Sequence, residues 1–213
     1  MKGVKFDNIH SYNDLDLILT KITIGVPSPK VMKIELEEYD GSIDVTNALT
    51  DVTFFNNREL KFEFSKLDDG QWYNKNASLI LNKLNGKKVK ITLDDDNGYY
   101  YEGRVYLEMN SDRRINSVVV TCDCEPYKLD VKETTKTYNV STSQVCTIDY
   151  QGTKRVCPLI NVSASMQLVL GSDYYQLEKG DNTVPDFVLK NGSNSFEFKG
   201  IGIAKVTYRG GLL

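Results

Sequence analysis

The sequence predicts a mainly β protein: an N-terminal β-barrel or β-sandwich domain carrying one packed α-helix, followed by a small all-β sandwich. Three observations predict it. Short alternating or β-branched runs, separated by turn-forming residues, recur along most of the chain, a pattern that suits barrels and sandwiches. One stretch, Trp72–Leu84, has helical rather than two-residue periodicity. The composition shifts after Tyr127, where the polar run 130–145 leads into shorter strands with Gly and Asn turns, so the domains are set at 1–129 and 130–213.

The strand-like runs of the first domain are Val4–Ile9, Leu17–Ile24, Val31–Glu37, Ile43–Thr46, Val52–Phe55, Glu59–Ser65, Val89–Leu93, Tyr99–Met109 and Ser117–Cys122. Two hairpins are expected. One joins Lys88–Leu93 to Tyr99–Leu107 through Asp94-Asp95-Asp96-Asn97-Gly98, because Asn-Gly accepts the positive φ of a tight turn. The other joins Thr53–Phe55 to Glu59–Phe64 around Asn56-Asn57. Pro27-Ser28-Pro29 cannot sit inside a central strand and marks a loop or the tip of an extended arm. In Trp72–Leu84, Tyr73, Ala77, Ile80 and Leu84 form one helical face, Asp69 stands where a cap belongs, and Gly86 suits the left-handed residue beyond the end. Lys83, Lys87 and Lys88 lie where the helix dipole favours cations. In the second domain the runs are Leu159–Ala164, Gln167–Leu170, Phe187–Leu189, Ser195–Phe198 and Ile203–Tyr208.

Composition narrows the function. With 40% apolar and 26% charged residues the chain can bury a core. The 26 basic and 29 acidic residues are interspersed, with no basic stripe of the kind that releases counterions from phosphates or binds anionic membranes. Asp7, His10 and Asp14 interrupt any signal-like apolar run, and no run approaches a membrane helix, so cytoplasmic synthesis is expected. In such a compartment the four cysteines are thiols. Cys122 and Cys124 alternate on one strand face and read as buried small apolar groups. Zinc ligation would need a second close pair or His partners, whereas Cys146 and Cys157 are far apart in sequence.

No catalytic constellation emerges. His10 is the single histidine and reads as an ordinary surface or turn residue. The acidic turn fails as a calcium loop: with Gly98 at the sixth position, Leu93 and Arg104 fall where acids are required. Gly200-Ile201-Gly202 has Lys205 in place of a third glycine and is followed by strand-like residues, not a helix. The Asn-x-Ser triplets at Asn76, Asn139, Asn161 and Asn191 are expected to stay unmodified. Tyr99, Tyr100 and Tyr101 put rings on both faces of a strand, which suits cross-strand packing or an oligomer contact better than a sugar platform. Neither a cofactor nor a metal is called for.

The order of several short motifs is more informative than any one of them. Glu37-Glu38-Tyr39-Asp40-Gly41-Ser42-Ile43-Asp44 is followed by Phe55-Asn56-Asn57-Arg58-Glu59-Leu60, then by Trp72 opening the helix, Leu84-Asn85-Gly86-Lys87 and the Asp94–Asp96 turn. Tyr99-Tyr100-Tyr101-Glu102-Gly103-Arg104-Val105 and Cys124-Glu125-Pro126-Tyr127 complete it. Over residues 1–128 this succession resembles the phage distal tail protein family (Dit), also called the siphophage tail component family. The second half resembles, more loosely, that family's galectin-like C-terminal sandwich, through Val156–Ile160, the Leu189–Phe198 run and the ending Ile203–Gly211.

The resemblance implies a non-enzymatic structural role. Proteins of this family form a ring of six at the far end of a phage tail, between the tail tube protein and the tail-tip or baseplate proteins, with receptor-binding proteins held outside. The expected location is therefore the virion tail tip, assembled in the bacterial host cytoplasm; prophage, contractile-tail and tailocin versions fit equally. The expected partners are other copies of the chain and those tail proteins, with no membrane, and with DNA only as cargo passing through the ring. The first domain builds the ring, often through a β arm reaching the neighbour. Gly41, Asn57, Arg58, Gly103 and Arg104 match motif positions; the two arginines are candidates for interface ion pairs, with plain exposure the alternative. Asp94, Asp95 and Asp96 are the candidate channel-facing turn, where repulsion would keep DNA from sticking. The competing reading is a carbohydrate-binding adhesion module. Against it, the second half has no His and no Trp; Arg155, Arg209, Tyr174, Tyr175 and Phe187 are what remains to hold a sugar.

Overall fold

The computed structural model describes residues 2–38, 40–46, 48, 52–67, 72–111 and 115–213, and it divides into two compact units, Met1–Pro126 and Tyr127–Leu213. The division falls slightly before the composition shift, because Lys128–Asp130 already pairs with the last strand of the chain.

In the first unit, β1 (Val4–Phe6), β2 (Ile9–His10), β3 (Ile18–Ile24), β6 (Arg58–Leu67), β7 (Lys88–Leu93), β8 (Tyr99–Ser111) and β9 (Ile115–Cys124) hydrogen-bond in the order β2-β1-β7-β8-β9-β6-β3, every described pair antiparallel. Alternation along β9 buries Val118, Val120, Cys122 and Cys124 and turns Val119, Thr121 and Asp123 the other way. On the same inner face lie Leu60, Phe62 and Phe64 of β6, Tyr101 and Val105 of β8, and Ile91 of β7. The helix α1 (Trp72–Leu84) closes this core with Trp72, Ile80 and Leu84. Trp72 keeps its indole N–H satisfied by donating to the Leu15 carbonyl at 3.3 Å. Gly86, at φ 74°, ends the helix in the left-handed conformation, as expected. Asp69, the expected cap, lies outside the described residues.

Two hairpin expectations are corrected. β7 and β8 do form a hairpin, but its turn is a 3-10 turn, Asp94–Asp96, in which Asn97 has φ −70° and Gly98 stays out of the left-handed region. The successive aspartates bend the chain before the Asn-Gly pair is needed. Val52–Phe55 does not pair with β6. Its Phe55 bridges Pro29 instead, and both edges of β6 are already taken by β3 and β9.

Between β3 and β6 the chain makes an excursion. β4 (Lys33–Glu35) and β5 (Ser42–Asp44) form a separate two-stranded ribbon with Ile34 opposite Ile43. Its base is held by Gly25 N–H to the Glu59 carbonyl, Asn56 N–H to the Ser28 carbonyl and Lys30 N–H to the Phe54 carbonyl, each at 2.8 Å. Pro27-Ser28-Pro29 therefore lies at the base of this arm, not at its tip.

The second unit is a sandwich of two four-stranded antiparallel sheets. One holds β11 (Thr134–Val140), β18 (Gly202–Tyr208), β13 (Leu159–Val162) and β16 (Gly180–Thr183); the other holds β12 (Ser143–Tyr150), β17 (Gly192–Lys199), β14 (Met166–Leu170) and β15 (Asp173–Leu177). β10 (Lys128–Asp130) pairs with β19 (Gly211–Leu212). Ile148, Ile160, Leu168, Leu189, Phe198 and Val206 fill the space between the sheets. The polar run 130–145, which looked like a boundary, contains β11 and the start of β12. Phe187–Leu189 is not a strand: Phe187 is buried in the core and Leu189 bridges Val156.

Candidate interaction surfaces

The register of β7, β8 and β9 decides which motif residues meet. Lys88 stands opposite Arg104, and Arg104 opposite Asp123, all pointing away from the core. With Asn57, Glu102 and Glu125 they rim an open depression of about 320 Å³ whose floor includes Gly103. Lys88 reaches both Glu102 and Glu125 at 3.0 Å, and these contacts, Glu102 first, raise its pKa. Arg104 donates to the Gly86 carbonyl at the end of α1. The sequence supplied Asn57, Gly103 and Arg104; Lys88, Glu102, Asp123 and Glu125 join them because of a register that depends on the length of the turn, which the residue pattern did not specify.

Gly103 has a packing reason to be glycine. An added Cβ would stand 2.5 Å from both the Asp123 carbonyl oxygen and the Cys124 sulfur. Gly41 is at φ 88° with open space around it, so there the requirement is conformational.

Arg58 is separated from Arg104 by the sheet. It occupies the inner row of β6, next to Leu60, and only 6% of it is exposed. Its guanidinium lies over the Tyr101 ring, 5.5 Å from the centroid, and its Nε is buried with no acceptor. The neighbouring Cys124 thiol is pushed up to about 12, chiefly by burial and then by Asp123, against the opposing pull of Arg58.

The acidic turn is tied to the start of the chain. Asp94 accepts the Gly3 N–H at 2.7 Å and the His10 Nε2 at 3.1 Å, and Asp95 pairs with Lys2. Burial works to raise the Asp94 carboxyl, but the Gly3 and His10 hydrogen bonds outweigh it and the net shift is downward. Two backbone amides, of Tyr12 and Asn13, donate to His10 Nδ1, so the proton toward Asp94 sits on Nε2.

The arm displays apolar side chains to solvent: Val26 is 91% exposed, and Val31, Met32, Ile34, Ile43 and Phe54 are also exposed. In the second unit the residues available to a sugar are dispersed. Phe187 is buried, Arg209 is engaged by the Asp130 and Val131 carbonyls and by Glu133, and Tyr175 donates to Asp186. Tyr174 is exposed, with the Lys199 ammonium over its ring.

No family model and no curated protein matches the chain. Among solved structures it is similar to the crystal structure of SPP1 Dit (gp 19.1), described as a paradigm of the hub adsorption apparatus in phages infecting Gram-positive bacteria. That match has a TM-score of 0.72 at 18% identity and spans 98% of this chain and 99% of the other. The two chains share a fold. The Dit-like match extends over both units, so the helix-bearing sheet and the sandwich occur together, in the same order, in both proteins. At such low identity the likeness is one of fold and not of residue identities.

Proposed function

We propose that this chain is a structural, non-enzymatic subunit of a phage or prophage tail tip. In this reading six copies close a ring between the tail tube protein and the tail-tip or baseplate proteins, and the second unit carries receptor-binding proteins. The observation that carries the reading is the end-to-end likeness to SPP1 Dit, with neither unit left over. The arm supports it. A two-stranded ribbon is marginal in water unless something covers it, and this one exposes apolar residues along its length. Ring closure by head-to-tail contacts would cover it with a neighbour. Gly41, on the arm, and Asn57, Arg58, Gly103 and Arg104, near its base, then belong to the interface region. The Asp94–Asp96 turn faces the channel, where DNA passes as cargo without binding.

Light scattering after size exclusion tests this. The expected result is a particle of six times the 24.1 kDa chain, or, once the tube and tip proteins are added, a complex that holds six copies of it. Deleting the ribbon by joining residue 30 to residue 54 should abolish it. A chain that stays monomeric with its tail partners present would overturn the reading.

A further inference from the structure

The Asn97-Gly98 pair is not used by the turn that contains it. The bend is made by Asp94–Asp96, Asn97 has φ −70° and ψ −5°, and Gly98 stays out of the left-handed region. What the pair retains is its chemistry. In an Asn-Gly sequence the glycine nitrogen can attack the asparagine side-chain carbonyl carbon, because no Cβ on the second residue blocks the approach. Asparagine is a thermolabile residue for this kind of reason.

The chain has three Asn-Gly pairs, and the fold treats them differently. At Asn85-Gly86 both reactants are tied. The Asn85 Oδ1 accepts the Leu107 N–H at 3.1 Å, and the Gly86 N–H donates to the Val105 carbonyl at 2.7 Å. At Asn191-Gly192 the Asn191 amide donates to the Gly152 carbonyl at 3.3 Å, and Gly192 stands opposite Tyr150 in the β12–β17 ladder. Asn194 staples that turn, accepting the Lys190 N–H and donating to the Lys190 and Gly192 carbonyls. At Asn97-Gly98 neither reactant is held. Both residues are exposed, and among the described residues neither the Asn97 side chain nor the Gly98 N–H has a hydrogen-bond partner. A Cβ at Gly98 would meet nothing within 4 Å. The Gly98 peptide therefore rotates about the Asn97 Cα–C bond into the attacking position without a hydrogen bond to break first.

We propose that Asn97 is a site of self-modification, the Asn-Gly pair of this fold at which the side-chain amide is lost to water. The Gly98 nitrogen attacks the Asn97 Cγ, a C–N bond forms, the Cγ–Nδ2 bond breaks, and ammonia leaves with the Gly98 proton. Water then opens the cyclic imide. Breaking its bond to Cγ gives aspartate, and breaking its bond to the backbone carbonyl carbon gives isoaspartate. No oxidant or reductant takes part. Either product adds a carboxylate beside Asp94, Asp95 and Asp96, and isoaspartate also lengthens the backbone of the β7–β8 hairpin by a methylene. The chemistry is set within one chain and is independent of assembly.

The test is peptide mapping by mass spectrometry of the full-length chain, held folded in mildly alkaline heavy-oxygen water, with the same chain in urea as reference. In the folded chain Asn97 should become labelled aspartate and isoaspartate about tenfold or more faster than Asn85, where two hydrogen bonds must break first. It should also outpace Asn191. In urea the three rates should come together, which shows that the fold and not the local sequence sets the order. Gly98→Ala, placed in open space at an ordinary φ, should slow conversion at Asn97 by about tenfold or more, because its Cβ crowds the attacking nitrogen. Unchanged slow rates at Asn85 and Asn191 report that this variant is folded; if it is not, the wild-type comparison decides. Equal rates at the three pairs in the folded chain, Asn85 or Asn191 ahead of Asn97, or an intact Asn97 over the time in which the urea sample converts, would each overturn the proposal.

Discussion

Gly103 and Asp94 show how single residues hold this fold. At Gly103 the constraint is distance: β8 and β9 approach so closely that the Cys124 sulfur occupies the space of a side chain. Gly103→Ala should therefore destabilise the chain by about 1–3 kcal/mol, read from urea unfolding, since backbone on one side cannot yield. An unchanged midpoint would mean the strands separate more easily than their register suggests. At Asp94 the constraint is charge. The folded carboxyl is more acidic than in the unfolded chain because Gly3 and His10 donate to it. Its contribution is complete above the unfolded value of about 3.9 and is lost as pH falls through the lower folded value. Stability measured from pH 6 down to pH 2 should fall less steeply for Asp94→Asn than for wild type. Parallel curves would show that the hydrogen bonds survive protonation.

Among the elements, the helix was the most legible, and the reason is physical. Trp72–Leu84 has apolar residues at helical spacing with no competing two-residue pattern, and one stripe, Trp72, Ile80 and Leu84, is what the structure buries. Ile80→Ala should cost about 2–5 kcal/mol and shift Trp72 fluorescence to the red as the helix lifts from the sheet. A small loss with unshifted fluorescence would place the helix's anchor elsewhere. The long strands β6, β8 and β9 were legible by alternation. β11 was not, because TTKTYNV buries only Val140 and half-buries Thr134 and Tyr138, which leaves little apolar signal. Val52–Phe55 misled for the opposite reason: its residues favour strands, but both edges of β6 were already taken by β3 and β9. Of the candidate surfaces, motif order picked out Asn57, Gly103 and Arg104, while Lys88, Asp123 and the burial of Arg58 followed from register, a property of paired strands that neither strand carries alone.

At the scale of the molecule, each unit has its own core among the described residues. The second unit also fastens its own ends. β10, near its start, pairs with β19 at its finish, and Arg209 donates to the Asp130 and Val131 carbonyls at 2.6 and 2.7 Å. Tyr150 packs edge-on against Tyr208, 5.6 Å between centroids, and donates to the Lys154 carbonyl at 2.7 Å, so the clasp continues into the sandwich. Domains of roughly 55–65 residues already fold alone, and residues 127–213 exceed that. The segment 127–213, expressed by itself, should give a dispersed amide NMR spectrum and one cooperative thermal transition. Phe198→Ala, which empties a fully buried site between the sheets, should lower that transition by about 12 °C or more, or abolish it, in keeping with a cost of about 3–5 kcal/mol. A collapsed spectrum would mean that the sandwich needs the first unit to fold. A dispersed one shows that the sandwich folds without the first unit.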